Sequence, residues 1–241
     1  MPSAPYLRLA VTLACLAFGA AGCGSAPAQP PSAPARSPSP TSSSAGAAAS
    51  PSASVGAAVS PSAQAATVLW LAPPDPMERT VQAGLTPGPK EYLTNHVHAH
   101  LDVFVEGKPI TVPAGIGIKI DDPAVHRFDE PDGSVGYGGI VLCSAPCISP
   151  LHTHDVTGII HTESTDPKPN TLGQFFTEWG VALTDSCVAT LCKPTEIAIY
   201  IDGERFAGDP RMIELTDHRE IAIEIGAPPP QIPKTADFSQ A

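Results

Sequence analysis

Six of the chain's eight histidines fall in two short clusters. The stretch HVHAHLDVFVEG (96–107) carries His96, His98 and His100 on alternate positions, and PLHTHDVTGIIHTES (150–164) carries His152, His154 and His161. Residues two apart on a strand project from one face, so His98/His100 and His152/His154 read as two chelating pairs. Neutral imidazole is a ligand for zinc, copper, iron or nickel. Two such pairs laid side by side in one sheet would offer four nitrogens to one ion. Those four histidines are the first choices as ligands, with His161, His96 and Asp155 next. Asp155 is either a ligand or the acceptor that orients an imidazole. Glu163 shares the face of His161 if a strand runs through 159–163. With Asp155 it would be the candidate acid or base if the ion served catalysis. His126 and His218 stand among acidic or turn-forming residues and read as surface groups.

These side chains need a sheet to hold them. Val97, Ala99, Leu101, Val103 and Val105 alternate with His96, His98, His100, Asp102 and Phe104, the period-two mark of a strand with one buried face. Residues 106–109 then form a turn into a returning strand at 110–112. EIAIYIDGERF (196–206) repeats the same strand-and-turn pattern, and a further strand covers 220–225 with isoleucines at 221, 223 and 225. TLGQFFTEWG (171–180) predicts one clear helix. Thr171 and Gln174 have capping-box spacing, Leu172, Phe175, Phe176 and Trp179 make one apolar stripe, and Gly180 suits the stop. A shorter helical turn fits 77–83. Many strands and few helices predict an α+β, mainly β domain over 68–233, followed by a tail at 234–241.

Cys143, Cys147, Cys187 and Cys192 lie in this domain. In an exported chain they read as two disulfides. Three pairings are open; crossed ones would close loops of about 45 residues and stabilise more in the loop-entropy picture. A zinc site of four thiolates is the alternative.

Residues 1–22 read as a secretory signal: Arg8 precedes an apolar run that is too short for a permanent membrane span. Ala20-Ala21-Gly22-Cys23 is similar to a bacterial lipobox, which makes Cys23 the lipidated residue. From 24 to 66 the chain is almost wholly Ala, Ser, Pro and Gly, with Arg36 its only charge. Such a composition cannot offset the entropy of ordering, so 23–67 is expected to be a disordered, extended tether. The formal net charge of −11, with 24 acidic against 13 basic residues, speaks against nucleic acid as a partner and suits cations. These features place the domain on the extracytoplasmic face of a cell membrane, lipid-anchored.

Several metalloprotein patterns do not fit. After His154 come Asp155, Val156, Thr157 and Gly158 rather than the glutamate of a cupin frame. The domain is too short for a (β/α)8 barrel, and no H-E-x-x-H, nucleophile elbow or phosphate loop occurs. Three methionines are too few for a Met-rich copper(I) carrier. The blocks HVHAHLDVFVEGKPITVPAGIGI, LHTHDVTGIIHTES, TLGQFFTEWG and GDPRMIELTDHREIAIEIG together resemble a family of exported bacterial and archaeal proteins, many of them lipoproteins. The resemblance spans nearly all of 80–226. It implies a self-standing domain and carries over no activity and no residue role. The expectation is therefore a membrane-anchored protein binding Zn or Cu through a histidine cluster, for sequestration, delivery or sensing. A metal-dependent hydrolase or oxidoreductase using the same ligands is one alternative. A structural or interaction module whose histidines only make hydrogen bonds is the other.

Overall fold

Strand β1 (Asn95–Val105) is the axis on which the other elements assemble. The structure, a computed structural model, describes residues 70–239; the signal segment, Cys23 and the tether lie outside them. Along one edge β1 pairs in parallel with β11 (Arg219–Ile225). Along the other it pairs antiparallel with β6 (Ile159–Ser164) over its first half and with β2 (Lys108–Ile110) over its second. Strands β9 (Ile197–Ile201) and β10 (Glu204–Arg205) extend the β11 side, and β5 (Leu151–His152) extends the β6 side. The sheet order is β10-β9-β11-β1-β6-β5, with β2 beside β1. The fold is a mainly β, α+β one with a mixed sheet, as the patterning predicts.

The two faces of this sheet differ sharply. Ala99, Leu101 and Val103 of β1, Ile160 of β6, and Ile221, Ile223 and Ile225 of β11 point to one side and are buried. They share a core with helix α2 (Leu172–Trp179), whose Leu172, Phe175, Phe176 and Trp179 are almost wholly buried. Each such large apolar side chain contributes roughly 1.5–3 kcal/mol. The helix starts at a complete capping box. Thr171 Oγ1 accepts from the Gln174 backbone N–H, and Gln174 Oε1 accepts from that of Thr171. It stops at Gly180 in the left-handed conformation, φ 74°. The shorter helix α1 (Pro76–Gln82) packs beside it. Among the described residues no helix is long and apolar enough to cross a membrane.

The two hairpins that look alike in sequence are alike in geometry. Glu106 and Gly107 both have positive φ (50° and 70°), and so do Asp202 and Gly203 (52° and 80°). This is the turn whose twist matches two antiparallel strands, and it favours Asp-Gly-like pairs.

The other face of the sheet carries the histidines and is flanked by the segment 112–150. That segment has its own small core of Ile118, Val125, Ile140, Cys143, Cys147 and Ile148 and a hairpin of β3 (His126–Asp129) and β4 (Val135–Gly138). The local cysteine pairing is the one formed: Cys143 with Cys147, and Cys187 with Cys192, the latter directly opposite each other on β7 (Cys187–Val188) and β8 (Leu191–Cys192). Two disulfides form, as expected; of the three pairings the sequence left open it is the local one, and it uses the thiolates of the zinc alternative. Sequence spacing could not reveal that each pair is brought together by its own tight turn.

Candidate metal centre

Register assembles the site. His98 on β1 stands opposite His161 on β6, and His161 stands opposite His152 on β5. Three adjacent strands thus contribute one imidazole each to a single row. Directly opposed residues have Cβ atoms about 4.5–5.5 Å apart, so the rings meet. The His161 ring centroid lies 4.5 Å from that of His98 and 4.5 Å from that of His154, edge to face with both, and 5.4 Å from the stacked ring of His152. His96, opposite Glu163, flanks the row. His161, a second-rank candidate by sequence, is the centre of the cluster.

The inner pair, His152 and His154, has a defined chemistry. His152 Nδ1 donates to the Ser149 carbonyl at 2.9 Å, and His154 Nδ1 donates to the Tyr137 carbonyl at 2.6 Å. A carbonyl only accepts, so each Nδ1 must carry its proton, and the neutral ring then has a bare lone pair on Nε2. The two Nε2 atoms are 3.2 Å apart. Two lone pairs at that distance repel unless a cation lies between them. A proton held by His152 is disfavoured, because His152 is fully buried. Burial first, then the neighbouring His154 and His161, push its pKa well below the ordinary histidine range. The separation does match the edge of a tetrahedron around zinc, roughly 3.3 Å for Zn–N bonds of about 2.0–2.1 Å.

Two further atoms point the same way. His161 Nδ1 and Glu163 Oε2 are buried with no hydrogen-bond partner. The nearest approach of these side chains, 3.7 Å from His161 Nδ1 to Glu163 Oε1, suits an ion pair and is too long for a hydrogen bond. Unpaired buried polar atoms are costly, and a bound ion would satisfy both. His152, His154, His161 and Glu163 each place one ligand atom within 4.8 Å of all the others.

The outer pair differs. His98 Nε2 lies 2.9 Å from His96 Nε2, which is also 3.2 Å from Glu163 Oε1. A proton on either Nε2 turns the contact between the two rings into a hydrogen bond, whose direction depends on the tautomer. Burial, then His161 and His96, push the His98 pKa down to about 4. With His161 the outer pair forms a second convergent set.

His100 and Asp155 are held elsewhere. His100 Nδ1 lies 2.8 Å from Glu220 Oε2, and its Nε2 donates to the Thr157 carbonyl at 2.8 Å. Burial lowers its pKa, but the hydrogen bond and charge of Glu220, with Asp102 behind it, raise it further, and the net shift is upward. His100 therefore clamps the loop before β6 to β11, and the backbone there comes so close that a Cβ on Gly158 would sit 3.0 Å from His100 Nε2. His100, Asp102 and Glu220 form a third cluster, apart from the row. Asp155 Oδ1 accepts from the Thr157 backbone N–H at 2.8 Å and from its hydroxyl, closing a local turn. His126 and His218 are exposed, as the sequence suggests.

Glu178 is a residue the sequence reading left without a role. It is fully buried in α2, and burial pushes its pKa up to about 8. The Ser149 hydroxyl donates to its Oε1 and accepts from the Leu151 N–H, while the Ser149 carbonyl receives His152 Nδ1. Glu178 thus fixes the loop that orients the inner pair. The only sequence signal was an acidic residue beside the apolar stripe. Outside the ligands, a cleft of about 410 Å³ opens onto His96, His154, His161 and Glu163, with Glu91 and Glu130 at its walls. Comparisons with protein-family models, curated proteins and solved structures found no match for this chain.

Proposed function

We propose that this protein binds a transition-metal ion, Zn(II) first and Cu(II) as the alternative, through His152, His154, His161 and Glu163. The observation that carries the reading is the inner pair: two Nε2 lone pairs 3.2 Å apart, with both Nδ1 protons committed to carbonyls. Three imidazoles and one carboxylate give a donor set suited to either metal. The leader-like N-terminus and Cys23 support an exported, lipid-anchored protein whose role is sequestration, delivery or sensing, and two disulfides suit an oxidising compartment. Isothermal titration of the tag-free chain with Zn(II) and with Cu(II), wild type against His152→Ala/His154→Ala, tests the site. Tight binding by wild type alone is the expected result, and equal affinity in both proteins would remove these two residues from it.

The cleft gives a second reading some support. An ion on His154, His161 and Glu163 would face it, and the Glu91 carboxyl stands nearby with a pKa raised by burial and by Glu163. That is the layout of a metal-activated water beside a base, as in a hydrolase. Turnover of activated esters or phosphoesters that needs both Zn(II) and Glu91 would favour it over a binding protein.

A further inference from the structure

The row contains more imidazoles than one ion needs. His161 lies on the middle strand, with the inner pair on the β5 side and the outer pair on the β1 side. Adjacent strands are about 4.8 Å apart, so β1 and β5 are separated by roughly twice that. His98 and His152 accordingly fall into different convergent sets, and His161 is the residue the two sets share. Each set contains one close Nε2–Nε2 approach, 3.2 Å on the inner side and 2.9 Å on the outer. Both are distances between neighbouring ligands of one ion rather than between ligands of two. Glu163 spans the gap: Oε1 lies 3.2 Å from His96 Nε2, while Oε2 is buried and unpartnered. The outer position is also the accessible one, since His96 is exposed and lines the cleft, whereas His152 is closed off.

We infer that the centre holds two ions: an inner one on His152 and His154, and an outer one on His96 and His98, with the Glu163 carboxylate shared between them and His161 bridging them through its two ring nitrogens once its N–H proton has passed to solvent. This rests on the metal-binding reading above and extends it to a dinuclear site. The outer position is open to solvent and the inner one enclosed, so the outer ion is held more weakly than the inner one.

The test is metal stoichiometry by native mass spectrometry and titration with Zn(II), together with Cu(II) electron paramagnetic resonance, on the tag-free chain. Wild type should take two equivalents in separable steps. His96→Ala/His98→Ala, both on the accessible face, should take one, with the affinity of the tighter step changed less than threefold. Two Cu(II) ions on shared ligands should show magnetic coupling that is absent at one equivalent, a readout that needs no variant. A single equivalent in wild type, without coupling, overturns the second position and leaves the inner site standing. Loss of all binding in His96→Ala/His98→Ala overturns it too, because the five histidines would then serve one ion. No binding by wild type overturns both readings.

Discussion

His98 and His100 sit two residues apart on one face of one strand, yet they end in different chemistry. His98 Nε2 meets another imidazole and the His161 ring. His100 has both ring nitrogens bonded to oxygens, Glu220 on one side and Thr157 on the other. The cause lies in the neighbouring strands. At His98 the cross-strand partner is His161, but at His100 it is Ile159 on β6 and Glu220 on β11. A carboxylate opposite an imidazole makes an ion pair, and an imidazole opposite an imidazole brings two nitrogen donors together. What stands across the sheet, rather than the H-x-H spacing, decides which groups each histidine meets.

The contrast can be broken most severely at the centre of the row. His161→Ala should lower Zn(II) affinity by more than roughly 100-fold, beyond the 10–100-fold typical of losing an outer partner of a ligand; titration calorimetry reads this directly. His100→Ala should behave oppositely. Its metal affinity should stay within a few-fold of wild type, while urea denaturation shows a loss of about 3 kcal/mol, because Glu220 is left buried and unpaired. Adding Glu220→Gln to His100→Ala should recover part of that loss. A large drop in affinity on His100→Ala alone would erase the distinction between the two histidines.

Glu178, in the helix on the apolar side of the sheet, is a buried carboxyl with no cation beside it among the described residues. Its folded pKa, about 8, lies above the ordinary 4.5. The stability it contributes is therefore complete below the unfolded value and is lost as pH rises from about 4.5 toward 8. Metal-free wild type should lose about 3–4 kcal/mol more than Glu178→Gln between pH 5 and pH 8, measured by urea denaturation at each pH. Parallel profiles would mean that the carboxyl is not neutral in the folded state. The smallest effect expected is from Cys143→Ser/Cys147→Ser. Closing so short a loop is worth at most about 2 kcal/mol, and the loss should fall on the 112–150 segment and weaken metal binding only through the Tyr137 contact to His154.

Much of the frame was legible because it is local. Alternation from His96 to Val105, the capping box at Thr171 and the isoleucines at 221, 223 and 225 each encode their own element, and β1, α2 and β11 form where expected. The histidines as a group were legible for the same reason. Their partnership was not, because it depends on strand order and register. That β6 pairs with both β1 and β5, placing His161 between them, is a long-range fact. Expecting His98 and His100 to act together assumed that both face the same neighbours. Likewise β5 ends at His152, so His154 is aimed by Tyr137 rather than by strand geometry. Glu178 was hidden because burial makes it neutral, and charge in a sequence does not reveal burial.

The most direct measurement is an anomalous difference map from crystals of the protein loaded with Zn(II). Coordination by the inner pair puts the strongest peak about 2.0–2.1 Å from the Nε2 atoms of His152 and His154, with His161 and Glu163 completing it. A strongest peak at His100 and Glu220, at the exposed His126 or His218, or no peak on the histidine face, would contradict it.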